Sequence, residues 1–215
     1  DIGLTPDDQQ SLAEEDDVVR SWRTLLQASS DKTRKIKGTN YFHLATVDPV
    51  TNEPRCRTVV FRGFLDLPES HEWSSICDGR SCVMRMTTNG RSRKVSEALT
   101  NNVAELVWWF PTTSEQYRIR GALAFVGGGR FDHDEDLAEV RREMWEKSSD
   151  ASRESFFASG ASGAAFLEEE TYIPKGGRDE EGNILPPPDS FLLMLLVPRY
   201  CDYLCLKKMY RQVDK

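Results

Sequence analysis

The residues with the clearest chemical meaning form a short basic segment, Thr88-Asn89-Gly90-Arg91-Ser92-Arg93-Lys94. It follows a strand-like run and precedes a helical pattern that extends through Leu99, with Ser92 as the expected N-cap. Arg93 and Lys94 would then place two cations in the first helical turn, where the helix dipole already carries partial positive charge. A bound phosphate would remove this conflict, because free backbone N–H groups, a hydroxyl and two cations suit an anion. The alternative is that both cationic side chains point into water.

A second basic segment, Arg55-Cys56-Arg57-Thr58-Val59-Val60-Phe61-Arg62-Gly63-Phe64, carries three arginines within eight residues of a β-branched strand. Such cations are costly unless they reach solvent or an anion. Strict alternation places Arg55 and Arg57 on one face and Arg62 on the other, so a bulge would be needed to bring Arg57 and Arg62 to one ligand. The alternative is a half-exposed strand whose arginines are solvated.

A third segment, Glu115-Gln116-Tyr117-Arg118-Ile119-Arg120-Gly121, has a polar row on one strand face. Gln116, Arg118 and Arg120 share that face, which must meet water, a ligand or a partner subunit. A glutamine amide both donates and accepts, which suits the edge of a uracil-like ring. The alternative is the solvated exterior of a barrel.

Composition narrows the class of protein. The chain has 215 residues, 35 acidic and 28 basic residues and a formal net charge of −7, which argues against nucleic acid or an anionic membrane as the main partner. Hydrophobic residues make up 39%, too many for a wholly disordered chain. The longest apolar run, Phe191 to Val197, has the length of a buried strand, not of a membrane span. The first thirty residues lack a signal-peptide pattern.

The cysteines and histidines do not suggest a metal site. The five cysteines, odd in number and flanked by apolar residues, predict reduced core thiols, and the three histidines are scattered. No C-x-x-C motif is present, so no metal is expected. Reduced thiols favour a cytoplasmic location, although a mature form cut from a precursor would look the same.

Periodicity predicts one mainly β domain with flanking helices (an α+β fold) over residues 1–215, with residues 1–16 flexible and 171–190 a loop. Gly121 is a possible bulge, and the last two strands would form a hairpin across Pro198. The predicted helices cover 15–28, a segment from Ser92 through Leu99, 134–147 and 152–158. The predicted strands cover 41–47, 55–61, 82–88, 103–110, 115–126, 191–197 and 201–206.

The basic segments together resemble the pyridoxamine 5′-phosphate oxidase-like family of FMN-binding split β-barrels. The resemblance runs from about residue 18 to about residue 127. The motifs that carry it are Trp22-Arg23, the R-T-V-V-x-R-G-F strand from Arg57 to Phe64, the T-N-x-x-S-R-K segment from Thr88 to Lys94, and an aromatic strand followed by P-x-x-x-x-Q-x-R-x-x-G from Val107 to Gly121.

The resemblance implies FMN bound at a homodimer interface. Arg57 and Lys94 would hold its phosphate, and Gln116 would bond near the flavin ring from the facing subunit. Further contacts with the phosphate and ribityl chain would come from Thr88, Ser92 and Arg93. The backbone groups that line the flavin would be those of Thr58, Val59 and Val60. Arg62 stands where the family's oxidases have a lysine that touches flavin and substrate, and the two side chains are not equivalent donors.

An independent feature also favours a dimer. Trp108, Trp109 and Phe110 place aromatic side chains on both faces of one strand, which is difficult to bury in one small barrel. The alternative is that the helix predicted at 134–147 covers the second face.

The resemblance implies hydride transfer from a small substrate to flavin N5, with oxygen as the final acceptor, and needs no side-chain nucleophile. No catalytic residue is therefore assigned. The family's substrate-phosphate motifs, its H-Q-S motif and its C-terminal tryptophan and R-L-H motif have no clear counterpart. Three functions stay open: a pyridoxamine or pyridoxine 5′-phosphate oxidase, an FMN oxidoreductase with another small substrate, or a non-catalytic module that binds flavin or pyridoxal phosphate.

Overall fold

The computed structural model describes residues 20–131, 135–158 and 173–215. Most of this part is antiparallel sheet with flanking helices, so the predicted fold class is confirmed. The helices are α1 (Trp22–Thr33), α2 (Arg93–Thr100), α3 (Glu135–Glu146) and α4 (Asp150–Phe157). The strands are β1 (Tyr41–Val47), β2 (Pro54–Val60), β3 (Phe64–Leu65), β4 (Ile76–Cys77), β5 (Arg80–Ser81), β6 (Val83–Asn89), β7 (Val103–Phe110), β8 (Glu115–Val126), β9 (Phe191–Cys205) and β10 (Tyr210–Asp214).

One large sheet carries the architecture. Its strand order is β2-β1-β7-β8-β9-β6-β3, with β10 alongside β9, and every pair is antiparallel. The short strands β4 and β5 form a separate hairpin. The predicted bounds of β1, β7 and β8 agree with the structure, because each strand alternates between buried and outward-facing residues and ends at a clear turn.

The predicted hairpin across Pro198 is wrong, because β9 continues through this proline. On one edge β9 pairs with β8 along most of its length; on the other it pairs first with β6 and then with β10. Pro198 lies in the gap between those two partners, and the register with β8 shifts beside it, between Arg120 and Gly121. A proline has no N–H to donate, so a gap and a bulge are where a long strand tolerates one. The predicted bulge at Gly121 is thereby accounted for.

The sheet has a fully packed inner face and a partly covered outer face. Trp108 and Phe110 point inward and are completely buried in the main core, against which Trp22 and Leu26 of α1 also pack. On the outer face, α3 packs through Leu137 against the β9, β6 and β8 region. Trp109 stays 42% exposed on the outer face, so α3 does not cover it, contrary to the alternative considered for the segment 134–147.

Helix α1 begins and ends later than the predicted helix 15–28. Residues 15–19 lie outside the described residues, as does the segment 1–16 that is predicted to be flexible. The described helix begins after Ser21, whose hydroxyl accepts the Thr24 N–H, and it continues to Thr33. Its last turns are held by polar side chains: Ser29 is buried and bonds both Glu115 and the Tyr117 hydroxyl. Apolar periodicity does not detect such a polar contact, so the sequence pattern ends too early.

The smaller deviations also have local causes. Helix α4 begins two residues before the predicted start, because Ser149 caps it by accepting the Ser152 N–H. The loop at 171–190 contains, in its described part, the 3-10 turn Lys175–Gly177 and a bridge between Arg178 and Ile184. Strand β10 was not predicted, because it is polar and short.

The five cysteines are free thiols, but not all of them are core residues. Cys82, Cys201 and Cys205 are buried, and Cys77 is partly buried. Cys56 is exposed, so the prediction of a core thiol is wrong there. It lies on the edge strand β2, at a position that alternation turns to the outer face.

Gly121→Ala should unfold the sheet locally, because a Cβ at this position would lie 2.1 Å from the Val197 carbonyl oxygen. We expect a loss of about 2–3 kcal/mol in the free energy of unfolding, measured by urea denaturation. Gly90→Ala is the control, since its Cβ would meet the Leu192 side chain and the Asp189 carbonyl oxygen at ordinary contact distances of 3.4 to 3.6 Å, and it should change stability by less than about 0.5 kcal/mol. Equal stability of the two variants would contradict the bulge assignment.

Candidate functional site

Helix α2 places a lysine in a partly buried, hydroxyl-lined position. Val95 and Ala98 are buried against the core and orient the helix. Lys94 donates from Nζ to the Thr88 hydroxyl at 2.9 Å and to the Ser92 hydroxyl at 3.0 Å. Within the described chain, Ser92 occupies the N-cap position, but its hydroxyl bonds these side chains and not a helix amide. The Lys94 ammonium group and the hydroxyls of Thr88 and Ser92, from β6 and the start of α2, therefore lie within hydrogen-bonding distance of one another.

Arg57 reaches the same region from β2, on the inner face of the sheet. Its Nη2 donates to a Glu97 carboxylate oxygen at 2.8 Å, and its Nη1 donates to the Thr46 hydroxyl and to the Arg55 carbonyl. Thr46 also donates to the same Glu97 oxygen at 2.5 Å. Glu97 is only 3% exposed. The guanidinium, the threonine hydroxyl and the carboxylate thus form one buried network.

The electrostatic effect of Arg57 and Glu97 on Lys94 shows that their hydrogen-bond networks lie close together. Burial and, to a smaller extent, the positive charge of Arg57 together lower the pKa of Lys94 to about 8, while the Glu97 carboxylate opposes both effects. Two cations are therefore held close together, partly out of water, and Lys94 bonds hydroxyls. A doubly charged phosphate fits this donor set, because it would offset the repulsion and accept from every one of these groups.

The cluster consists of Arg57, Thr88, Ser92 and Lys94 together with Thr46 and Glu97. The other predicted cofactor contacts lie around it, but not all of them are bonded to it. Val59 is buried in the core, Val60 is partly buried, and Thr58 is exposed with its hydroxyl near His43 Nδ1 at 3.4 Å. Arg62 and Arg93 are exposed, and no hydrogen bond of the described residues links either side chain to the cluster. Arg62 lies past the end of β2, where the chain turns towards β6 and its backbone pairs with Arg85.

Gln116 lies on the opposite face of the sheet from Arg57. The register pairs Gln116 with Trp109 on the outer face, whereas Arg57 pairs with Leu44, which is fully buried on the inner face. Within one chain the two side chains therefore point in opposite directions. The register thus separates Gln116 from Arg57 and places it on the face that carries Trp109.

The sequence interpretation missed Glu97 and Thr46, which complete the cluster. A signal for Glu97 was present: it lies three residues after Lys94, so the two side chains share one side of α2. No sequence feature indicated Thr46, because it faces inward from a strand with the alternating pattern of any barrel strand.

In residues 20–131, 135–158 and 173–215, no cluster of three or more His, Cys, Asp or Glu side chains is placed to hold a metal ion. Among the helices that the structure describes, none is long and apolar enough to cross a membrane.

Comparison with known proteins decides the family. Residues 19–127 match the model of the pyridoxamine 5′-phosphate oxidase FMN-binding domain, which is half of the chain. The chain belongs to this family. FMN is therefore its cofactor, as predicted, and the resemblance drawn from the motifs is confirmed.

Similar proteins extend the match beyond this domain. Pyridoxine/pyridoxamine 5′-phosphate oxidase 2 of Arabidopsis thaliana is 28% identical over 193 residues, which cover 90% of this chain and 87% of the relative. A pyridoxamine 5′-phosphate oxidase-related, FMN-binding protein of Nostoc punctiforme PCC 73102 is 28% identical, with a TM-score of 0.68 and coverage of 92% and 97%.

A more distant structure agrees in fold. PhzG of Burkholderia lata 383, solved with tetrahydrophenazine-1-carboxylic acid, is 20% identical, with a TM-score of 0.64 and coverage of 99% of this chain and 90% of that one. The split β-barrel predicted for this FMN-binding family is confirmed.

The region after α3 is held together by a buried arginine. Arg153 of α4 is 2% exposed, and its guanidinium donates to the carbonyls of Gly176, Glu146 and Ser148 and to the Asp150 carboxylate. It is therefore a structural arginine that ties α3, α4 and the 3-10 turn together. The predicted absence of an H-Q-S counterpart at 157–162 falls mostly on residues outside the described part.

Lys94→Ala should weaken FMN binding at about pH 7 by ~1.5–3 kcal/mol, because a charged donor to the phosphate is lost. The pH dependence should also change. In the free protein Lys94 has a pKa of about 8, and a bound phosphate would raise it, so binding takes up a proton above pH 8. Wild-type affinity should therefore fall as the pH rises through 8, by up to about tenfold per pH unit.

Fluorescence titration with FMN between about pH 7 and about pH 9.5 measures both effects, since the phosphate itself is already doubly charged in this range. Lys94→Ala should show a flatter profile. Lys147→Ala is the control, because Lys147 is exposed just after the end of α3, where it pairs with Glu143. A wild-type profile that stays level across pH 8 would refute the assignment of Lys94 to the phosphate.

Proposed function

We propose that this protein is an FMN-dependent oxidoreductase resembling pyridoxamine/pyridoxine 5′-phosphate oxidase. The observation that carries the proposal is the convergence of Lys94, Arg57, Thr88 and Ser92 in a chain that belongs to an FMN-binding family. When bound, the flavin would supply the redox chemistry, as a hydride acceptor at N5 for the substrate carbon and an electron donor to oxygen, with hydrogen peroxide as the product.

In this proposal the chain's residues bind and orient the reactants. Lys94 and Arg57 hold the phosphate, and Thr88 and Ser92 add hydroxyl donors beside it. The backbone from Thr58 to Val60 lines the flavin at the edge strand β2, and Arg93 and Arg62 remain candidates for outer contacts. The cytoplasm, which keeps cysteines reduced, is the proposed location, and the free thiols fit it.

The proposed assembly is a homodimer with FMN at its interface. It is supported by the outer face of β1 and β7, which α3 leaves open: Tyr41 is 48% exposed and Trp109 is 42% exposed. Gln116 lies on the same face. A second subunit on this face would bury the aromatics and present Gln116 to the flavin ring of its partner.

Two substrate classes are supported by different observations. The similarity to the Arabidopsis oxidase over 90% of this chain favours pyridoxamine or pyridoxine 5′-phosphate. The arginines around α4 favour another small molecule, because they bind backbone carbonyls: Arg153 as described, Arg91 with Phe156 and Ala158, and Arg141 with Phe191 and Pro188. These guanidinium groups are engaged by backbone carbonyls and would have to release them to bind a substrate phosphate.

Purified protein reconstituted with FMN should be yellow and should release hydrogen peroxide on addition of pyridoxamine 5′-phosphate under air. A coupled peroxidase assay measures the product, and pyridoxamine without phosphate is the matched control. Bound flavin without peroxide from either 5′-phosphate vitamer would exclude this substrate class and leave the second one. Protein that takes up no FMN would refute the proposed FMN-dependent function with either substrate class.

Trp109→Arg should disrupt the proposed dimer, because it would place a cation where the interface is proposed to bury an aromatic side chain. We expect light scattering to show about half the wild-type mass and FMN titration to show weaker binding. Val50→Arg is the matched control, since Val50 is 87% exposed in a turn and should leave the mass unchanged. An intact Trp109→Arg dimer would place the interface elsewhere.

A further inference from the structure

The phosphate-binding cluster contains an acidic residue of its own. Glu97 is 3% exposed and accepts hydrogen bonds from Arg57 and Thr46 through the same carboxylate oxygen. A carboxylate buried beside an anion-binding site is unexpected, because it repels the ligand that the cations attract. Its burial and its two short hydrogen bonds show that it is a fixed part of the fold.

The contacts of Arg57 show what Glu97 does in the free protein. A guanidinium has five N–H donors. Those on Nη1 are used by Thr46 and by backbone carbonyls of Leu44 and Arg55, and Nη2 donates to Glu97. The strongest of these partners is the carboxylate, because it is the charged one. A phosphate that approaches Arg57 must therefore share this guanidinium with Glu97.

The net charge of these three side chains also indicates that Glu97 opposes phosphate binding. Arg57, Lys94 and Glu97 together carry at most one net positive charge, against about two negative charges on an FMN phosphate. Removing the charge of Glu97 alone would raise the balance to two positive charges. It would also leave the hydrogen bonds of Thr46 and Arg57 with an acceptor, if the replacement is an amide.

We propose that Glu97 is a built-in competitor for Arg57 that limits the affinity of the chain for the phosphate of FMN. This inference rests on the proposed function, since it assigns the phosphate to the same cluster. Its consequence is a cofactor that exchanges more easily than the two cations alone would allow. Glu97 acts through Arg57 and Lys94 and is a specificity-determining residue for the phosphate end of the cofactor, not a catalytic one.

The test compares FMN with riboflavin, which shares the ring and the ribityl chain but lacks the phosphate. Glu97→Gln should bind FMN roughly tenfold more tightly than the wild type, because a unit charge near a partly buried phosphate is removed. Riboflavin affinity should not change. Fluorescence titration of the full chain measures both dissociation constants, and Glu97→Ala provides the same comparison if the glutamine variant fails to fold.

Asp202→Asn is the matched control. Asp202 is also 3% exposed and is paired with two arginines, Arg118 and Arg211, but these belong to β8 and β10. Its substitution should lower stability and leave the ratio of FMN to riboflavin affinity unchanged. This control separates the loss of a buried ion pair from the loss of competition at the phosphate.

The outcomes are distinct. Tighter FMN binding by Glu97→Gln, with riboflavin unaffected, supports the inference. Wild-type protein that binds FMN, together with a Glu97→Gln variant of equal or weaker affinity, overturns the inference alone and makes Glu97 a support for the position of Arg57. Failure of both proteins to bind FMN overturns the proposed function and the inference with it.

Discussion

The confinement of two cations in one partly buried space is the constraint on which the functional site depends. Lys94 comes from a helix start and Arg57 from an edge strand, and burial together with the charge of Arg57 lowers the pKa of Lys94. The fold offsets this repulsion only in part, through Glu97 and a few hydroxyls. A bound phosphate would neutralise the remaining positive charge. Phosphate binding would therefore stabilise this part of the fold.

The sheet adds a second constraint, because its two faces serve different purposes. The inner face holds the aromatic core and, at its end, the cation cluster. The outer face is covered by α3 only over the β9 end and leaves Tyr41 and Trp109 open to solvent. A strand cannot present one residue to both faces, so a ligand that needs Arg57 and Gln116 together requires two copies of the sheet. The proposed dimer follows from strand geometry as much as from exposed apolar surface.

Arginine is used in this fold for two unrelated tasks, and the difference bears on substrate choice. Arg57 stands beside a lysine in a site suited to an anion, whereas Arg153 is buried among carbonyl oxygens that end one helix and begin the next. Both side chains read as plain positive charges in a sequence. Only their surroundings distinguish a ligand-binding guanidinium from one that satisfies backbone acceptors.

The sequence by itself determined the family, the cofactor and most strands, because alternation, turn residues and the spacing of Arg57, Thr88, Ser92 and Lys94 are local properties of the chain. It also indicated the bulge at Gly121. Tertiary structure alone decided that β9 runs through Pro198, since a proline is tolerated there only because two partner strands leave a gap between them. It alone placed Glu97 against Arg57, forty residues away in the chain, because the sheet must close before the two can meet.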